Sequence, residues 1–269
     1  MRVRLPALIL LLWALAAVLA GALGLEPDRI RLELILAPPW EAGWIGYDDL
    51  GRPLLDRVIA GARTSFWVAL WVVSLSAAVG TLIGSVSGYL GGRLDRVVVH
   101  VIDIFLAFPG ILLAIALAGI LGPGIGNVVI ALSLVGWVGF ARLARAQVLS
   151  LKQREHVVAA IALGSRRRRI ILRHLIPLLS APLIVEATFG VASIVIAEAG
   201  LSFLGLGVQP PAASWGSMIR DGTRYLLVAP HMVMAPGAAM MLVVLAVNLL
   251  GDRLRDYMDV RTGVRARGH

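Results

Sequence analysis

The sequence contains no cysteine and only one lysine, Lys152. Without cysteine the chain has no disulfide, no thiolate metal site and no cysteine nucleophile. A phosphate-binding P-loop needs a Gly-Lys pair followed by Ser or Thr, whereas Lys152 is followed by Gln153. The chain therefore has no P-loop of its own. The five histidines show no paired helical spacing, so we predict neither a metal site nor catalysis by this chain alone.

Charged residues are also scarce. They make up 15% of the 269 residues, while 59% are hydrophobic, and the mean hydropathy is +0.87. Soluble domains are about half apolar and about a quarter charged. A chain of this length cannot hide so much apolar surface in a water-soluble core, so the composition predicts an all-α membrane protein.

Long apolar runs give the number of predicted spans. A membrane-spanning helix needs roughly 20 mostly apolar residues. We predict six transmembrane helices, at approximately Leu5–Gly24, Phe66–Leu90, Val97–Leu121, Asn127–Gln147, Ala181–Leu201 and Pro230–Gly251. The first run also resembles a secretory signal cut after Ala20, but it is longer than a signal core of about 7–15 residues, which favours an uncleaved helix.

The arginines predict the orientation. The segments assigned to the cytoplasm carry 18 of the 25 cations, and the other seven share the outer segments, Leu25–Ser65 and Ser202–Ala229, with eight acids. Positive charge is enriched on the cytoplasmic side of membrane proteins, so both termini are predicted to lie in the cytoplasm. The net charge of +9 is then a signal of topology, and no nucleic-acid partner is expected.

The longest predicted cytoplasmic loop between spans covers residues 148–180 and is called loop 148–180 below. Glu155–Leu163 is rich in good helix formers, and its alanines give the predicted helix a surface of small side chains. Gly164 is a suitable residue to end that helix and let the chain change direction. A second short helix, Arg167–Ile176, is expected before Pro177. The block Arg166–Arg169 either supports contact with a partner or lipid headgroups or only anchors the topology.

Several motifs in the same order give the chain a family resemblance. They are YDDLGRPLLDRVIAGARTS (Tyr47–Ser65), GYLGGRLDR (Gly88–Arg96), AEAGLSFLGLGVQPPAASWGSMIRDG (Ala197–Gly222) and NLLGDRLRD (Asn248–Asp256). In loop 148–180, Val158, Ala159, Ala160, Gly164, Ile176 and Pro177 have the spacing of a Glu-Ala-Ala…Gly…aliphatic-Pro signature, with Val158 in place of its glutamate. The chain resembles the inner-membrane permease subunits of bacterial binding-protein-dependent ABC importers, most closely the dipeptide, oligopeptide and nickel branch.

The resemblance implies a type I importer permease fold of the MetI-like kind. It divides the chain into an N-terminal helix (residues 1–24), an extracytoplasmic segment (25–65), a transmembrane domain (66–251) and a cytoplasmic tail (252–269). The implied partners are a second homologous permease subunit, two ATPase subunits that bind ATP and Mg²⁺, an extracytoplasmic substrate-binding protein and membrane lipids. The implied role is import of di- or oligopeptides, or of a similar small solute, across the bacterial cytoplasmic membrane.

The resemblance also assigns candidate residues. Coupling to the ATPase is expected at Ala159, Ala160, Gly164, Ser165, Arg166 and Arg167. Asp103, Pro109, Gly110 and Glu198 are candidates for the pathway or its gate, and a kink is expected at Pro109-Gly110. Gly80, Gly84 and Gly88, four residues apart, favour close helix packing over pore lining. An ion-gradient-driven secondary transporter or channel is the alternative, although the sequence shows no inverted repeat.

The predicted topology can be checked by labelling single cysteines placed in this cysteine-free chain. Cysteines replacing Ser165 and Thr262 should react with an impermeant maleimide only from the cytoplasmic side, and a cysteine replacing Ala213 only from outside. Labelling of Ser165→Cys from outside in intact cells would overturn the topology.

Overall fold

The computed structural model describes residues 4–266, with side chains described up to Met258. Ten α-helices account for most of these residues: α1 (Arg4–Leu19), α2 (Leu54–Leu90), α3 (Gly92–Leu106), α4 (Gly110–Leu121), α5 (Ile125–Leu151), α6 (Glu155–Ala162), α7 (Arg167–Arg169), α8 (Ser180–Phe203), α9 (Trp215–Thr223) and α10 (His231–Ala266). A π-helical turn, Ile170–Leu175, and a 3-10 turn, Ile176–Leu179, join α7 to α8 without a gap.

Four helices of the described region are long and apolar enough to cross a membrane, judged by length and composition. They are Leu54–Leu90, Ile125–Leu151, the continuous helix Arg167–Phe203 and His231–Met258. The pair α3 and α4 gives a fifth if it is counted as one span, although its two helices meet at 87°. Helix α1 has 16 described residues, or about 24 Å at 1.5 Å per residue, against a hydrocarbon core of about 30 Å. Of the six spans expected from the sequence, the described residues contain four by this measure, or five with the bent pair.

The most extensive helix contact among the described residues joins α2 and α5. A side chain built on Gly80 or Gly84 would overlap the α5 backbone at Trp137 and Ala141, and one on Gly88 would lie 2.9 Å from the Arg145 carbonyl oxygen. Glycines on one helical face let two backbones approach within this distance. The three glycines therefore serve helix packing, as the sequence favoured.

The bent pair follows α5 along most of its length. Phe105 of α3 packs edge-to-face on Trp137, with ring centroids 5.7 Å apart. Gly110, at the start of α4, lies against Val135, and further on Ala114 and Ala118 share a buried cluster with Val128 and Ala131 of α5. The contacts move steadily along α5, so α3 and α4 form one broken crossing rather than a loop that returns to its own side.

The break falls at the proline expected to kink this span. Helix α3 ends at Leu106 and α4 begins at Gly110. Pro109 has no N–H to donate, and proline disfavours helical geometry in the residue before it. The predicted span Val97–Leu121 is therefore made of two helices, with the interruption where it was expected, at Pro109-Gly110.

Helices α1, α8, α9 and α10 complete the bundle on the other side of α2. The indole N–H of Trp13 in α1 donates to the Ala62 carbonyl oxygen at 3.0 Å, and its ring packs edge-to-face on Phe66 of α2. Trp13 shares its buried cluster with Trp215 of α9 and Val243 of α10. The hydrophobic core therefore lies between α2, α8 and α10, with α1 packed across it.

The glycine contact makes a testable claim about stability. Replacing Gly84 with alanine should force α2 away from Ala141, because the added methyl group overlaps the α5 backbone. Overpacking of this kind typically lowers the free energy of unfolding by about 1–3 kcal/mol, which should appear as a lower midpoint of thermal unfolding in detergent.

The matched control is Gly119→Ala. Gly119 lies within α4, is exposed and has no atom within 4 Å of the added carbon. Its midpoint should equal that of the unaltered protein. If the two variants unfold at the same temperature, the glycine contact does not limit the approach of α2 and α5.

Candidate functional site

Helix α6 is the centre of loop 148–180, and it is held by two of its own side chains. Val157 is fully buried and Ala160 is 8% exposed. They are three residues apart and therefore share one face of the helix. Val157 lies in a cluster with Val148 and Leu151 of α5 and Leu175 of the π-helical turn. One face of α6 is thus fixed against the ends of the long helices.

The end of α6 is a Schellman cap built on Gly164. The Ser165 N–H donates to the Ala160 carbonyl oxygen at 3.0 Å, and the Gly164 N–H donates to Ile161 at 2.9 Å. Gly164 has a φ of +74°, a conformation that glycine adopts freely and most other residues avoid. The glycine therefore both ends the helix and sets the direction of the chain that follows.

Apart from Glu155 and His156, the exposed surface of α6 and of its C-cap residue Leu163 is apolar. Val158 is 51% exposed, Ile161 47% and Leu163 86%, and Ala159 between them is also exposed. The sequence identified Ala159 and Ala160 as equivalent contacts, but the structure separates them, since Ala160 faces the bundle. Val158, Ile161 and Leu163 were missed, and helical spacing would not have found them all, because Ile161 lies four residues from buried Val157 and Leu163 three residues from buried Ala160.

The arginine block follows immediately after the cap. Arg166–Arg169 are all exposed, and none of them forms an ion pair with a described residue. The expected separate helix Arg167–Ile176 is instead the first part of the continuous helix Arg167–Phe203, in which Ile170, Ile171 and Leu175 are buried. The block is therefore an open rim of positive charge beside the apolar face of α6.

Charged groups tie α2, α3 and α5 together at the end of the bundle that carries α6. Arg145 donates two hydrogen bonds to the Asp95 carboxylate, at 2.6 and 2.7 Å, and the Ser87 hydroxyl donates a third. Lys152, one residue beyond α5, donates to the Gly88 carbonyl oxygen at 3.1 Å. These bonds fix the base from which loop 148–180 projects.

Glu198 is fully buried in α8. Its carboxylate accepts hydrogen bonds from Ser65 of α2 at 3.0 Å and from Ser202 at 2.7 Å, and Ser202 in turn accepts from the Val208 N–H at 3.4 Å. A buried carboxylate needs such partners to offset its lost hydration. Glu198 therefore links α2 to α8 and to the loop after it.

The remaining candidates lie on the bent pair. Asp103, Pro109 and Gly110 are exposed. Asp103 lies in the last turn of α3 and Pro109-Gly110 at the break, and the described hydrogen bonds of Glu198 go to Ser65 and Ser202 instead. The four residues therefore do not form one cluster.

The segments before α2 and after α8 form a cap at the opposite end from loop 148–180; the cap is defined here as residues 25–53 and 204–230. Asp48 accepts a hydrogen bond from Arg52 Nε at 2.7 Å, and Arg57 Nε lies 3.3 Å from the same oxygen. Arg57 also donates to the carbonyl oxygens of Pro27 and Pro211. Burial raises the pKa of the neighbouring Asp49, and the charge of Asp48 raises it further.

Two other bonds hold the cap to α2. The Trp215 indole N–H donates to the Val58 carbonyl oxygen at 3.0 Å, and the Thr64 hydroxyl donates to Ala213 at 2.9 Å. Ala213 is only 4% exposed, so the exposed neighbour Ala212 is the better position for topology labelling. Among the side chains that the structure describes, up to Met258, no group of three or more histidines and carboxylates is arranged to hold a metal ion.

The chain matches known proteins over most of its length. Residues 80–264 match the family described as "Binding-protein-dependent transport system inner membrane component". A dipeptide transport system permease protein of Alkalihalophilus pseudofirmus is 43% identical over 83% of this chain and 74% of its own length. A probable D,D-dipeptide transport system permease protein of Escherichia coli K12 is 39% identical over 88% and 80%, respectively.

The chain is also similar to a third permease and, in its fold, to a solved transporter structure. A glutathione transport system permease protein of Escherichia coli O6:K15:H31 is 43% identical over 80% of this chain and 71% of its own length. The inward-facing MetNI methionine ABC transporter superposes with a TM-score of 0.57 at 19% identity, covering 76% of this chain and 97% of that chain. At this low sequence identity, the similarity to MetNI supports the fold alone.

The buried carboxylate of Glu198 can be tested by a pair of substitutions. Glu198→Ala should lower the free energy of unfolding by about 2–4 kcal/mol, because it leaves the hydroxyls of Ser65 and Ser202 without their acceptor and opens a cavity. Glu198→Gln should lose less than about 1.5 kcal/mol, because an amide keeps one acceptor and supplies a donor to the other serine. Thermal unfolding in detergent measures both, and equal losses would contradict the hydrogen-bonding role.

Proposed function

The chain belongs to the family of binding-protein-dependent transport system inner membrane components, and on that premise we propose that it forms half of the path by which a small peptide crosses the cytoplasmic membrane. It is a membrane-spanning permease subunit of an ABC importer and not an enzyme, since ATP hydrolysis in such systems belongs to a separate subunit. An ion gradient is therefore not retained as the energy source.

The relatives support a peptide substrate. The printed names of three similar proteins refer to a dipeptide, a D,D-dipeptide and glutathione, each of which is a small peptide. All three relatives match this chain over at least 80% of its length. We therefore propose di- or oligopeptides as the substrate class, delivered by a substrate-binding protein.

The coupling role is supported by the different environments of the two sides of α6, one buried and one exposed. Its inner face, Val157 and Ala160, is packed on the long helices, while its outer face is apolar and open. Exposed apolar side chains on a loop predicted to lie in water indicate contact with another protein. The proposed partner is an ATPase subunit, and Ala159 and Gly164 stay in the proposed contact.

Ala160 acts from the inside of the same loop. Because Ala160 packs against the bundle, it does not touch the partner. Instead it transmits a displacement of α6 to the long helices on which it packs. Ser165 is half-buried and Arg166 and Arg167 are exposed, so the two arginines are free to meet acidic groups of the ATPase or lipid phosphates.

The cap is proposed to face the substrate-binding protein. Trp40 and Trp44 are 84% and 89% exposed, and Leu227 is 99% exposed. Aromatic residues are enriched in the contact surfaces of proteins. With the cap outside, both termini would lie in the cytoplasm, as the arginine distribution predicts. A second permease subunit would complete a heterodimer, and two ATPase subunits would bind on its cytoplasmic side.

The helix break is the proposed moving part of the pathway. The exposed residues Asp103, Pro109 and Gly110 surround the 87° bend between α3 and α4. A break supplies backbone torsions that change during opening and closing. Glu198, away from the break, acts as a fixed point that keeps α2 and α8 together while the bent pair moves.

The coupling assignment predicts a specific effect of replacing Gly164. Gly164→Val should leave membrane abundance normal, because nothing lies within 4 Å of the added carbon, but valine tolerates a φ of +74° poorly. The cap of α6 should be lost, so substrate uptake and substrate-stimulated ATP hydrolysis should both fall to near background in vesicles containing the assembled importer.

The matched control is Gly164→Asn. Asparagine adopts positive φ more readily than other non-glycine residues, so this variant should keep most of the uptake. Neutralising Arg166–Arg169 should have a smaller effect, since exposed charge pairs contribute about 0–1 kcal/mol each. Wild-type uptake by Gly164→Val would show that the conformation of this turn does not support coupling.

A further inference from the structure

Glu186 is an acidic residue in the middle of the continuous helix Arg167–Phe203. Its side chain is half-buried, and it makes no hydrogen bond or ion pair with any residue whose side chain the structure describes. Glu198, twelve residues further along the same helix, is fully buried and bonded to two serines. The two acids of this helix thus have opposite environments, and Glu186 is the one left unsatisfied.

The carboxylate of Glu186 lies directly against the backbone of α5. Its Oε1 atom is 2.9 Å from the position a Cβ would take on Gly139. One turn further along α8, Gly190 lies 3.6 Å from Val73 of α2 and 4.0 Å from Phe140 of α5 by the same measure. Small residues at these points leave room for the carboxylate beside the α5–α8 contact without enclosing it.

One side of α8 carries two polar side chains, Glu186 and Ser193, beside the packed residues Leu183 and Ala197. Ser193, seven residues from Glu186 and therefore on the same side of the helix, is exposed, and its hydroxyl donates only to its own helix at Phe189. The other side of α8 carries Ala192, Val195 and Ala199, which are buried. Polar and ionisable groups within spanning helices usually face a bundle interior or a water-filled space rather than lipid.

We propose that this face of α8 lines the translocation path and that Glu186 binds the ammonium group of the passing peptide. The proposal rests on the proposed function, because it takes the substrate class from there. A carboxylate is an acceptor-only group when ionised, and an ammonium offers three donors. Free peptides carry such a group at the amino end, so the chemistry of Glu186 fits the one cationic group that di- and oligopeptides share.

Arg142 offers a different partner for Glu186. It lies three residues from Gly139 on α5, is exposed, and has no ion pair among the described residues. Residues three apart on a helix are neighbours, so a rotation of both side chains would bring them together. If the two residues form an internal pair, each single neutralisation should impair transport and the double neutralisation should restore it.

Cysteine substitution tests the environment of Glu186 directly, since the chain has no cysteine of its own. In the assembled importer, Glu186→Cys should react with water-soluble methanethiosulfonate reagents, because these modify the thiolate in contact with water. Ile184→Cys is the control, since Ile184 is 48% exposed on the opposite side of α8 and should react much more slowly. Equal rates, or no reaction at Glu186→Cys, would overturn the path assignment without any need for substrate.

The same variant tests the charge. Uptake of radiolabelled alanyl-alanine by Glu186→Cys should fall about tenfold or more, the effect of losing one charged hydrogen bond. Modification with the anionic sulfonatoethyl reagent should restore most of the uptake, while the cationic trimethylammonium-ethyl reagent should not. Equal uptake after both reagents would exclude a role for negative charge.

Selectivity for the ammonium group is measured in Glu186→Gln. In the unaltered importer, excess alanyl-alanine should compete for uptake better than N-acetyl-alanyl-alanine, and this preference should shrink about tenfold or more in Glu186→Gln. The unaltered importer and Glu186→Gln use the same binding protein, so the preference of the binding protein for one peptide over the other cancels when the two importers are compared. An unchanged preference, or recovery in the double variant Glu186→Gln with Arg142→Gln, would refute the proposal. Absence of all dipeptide uptake by the unaltered importer would instead refute the proposed substrate class.

Discussion

The close approach of α2 and α5 is the contact on which the other parts of this bundle depend. Gly80, Gly84 and Gly88 bring the two backbones to a separation that no side chain would permit. Lipid is as apolar as the helices themselves, so association in a membrane relies on dispersion contacts of this kind. With α2 and α5 fixed, the bent pair has a surface to follow along α5, and α8 packs in the groove beside it.

The sequence predicted the elements governed by local chemistry and missed those decided by tertiary contacts. Apolar runs of sufficient length located the long helices, and the missing N–H of Pro109 located the break. The angle at that break was not predictable, because it depends on where Phe105 and Ala114 pack along α5. The early start of α2 at Leu54 was also missed, since its first turns are held by hydrogen bonds to the cap, from Arg57 to Pro27 and Pro211 and from Trp215 to Val58, rather than by an apolar run.

The candidate site shows the same division. A family signature and a glycine placed α6 and its cap correctly, because a helix stop at Gly164 is a local property of the chain. Spacing alone did not show that Ala160 faces inward and Ala159 outward, since both fit a small-residue face. The bond between Asp95 and Arg145 joins residues 50 positions apart and leaves no local signal. The lack of a described partner for Glu186 is likewise a matter of tertiary contacts and leaves no local signal in the sequence.

Helix α2 connects the two ends of the molecule without interruption. The Val58 carbonyl oxygen is bonded to Trp215 in the cap, and the Gly88 carbonyl oxygen to Lys152 beside loop 148–180. Thirty residues of α-helix separate them, or about 45 Å at 1.5 Å per residue. A rigid rod of that length acts as a lever: a tilt of about 5° moves one end by about 4 Å relative to the other. The cap and loop 148–180 are therefore joined by a single α-helix, whose stiffness sets how much of a movement at one end reaches the other.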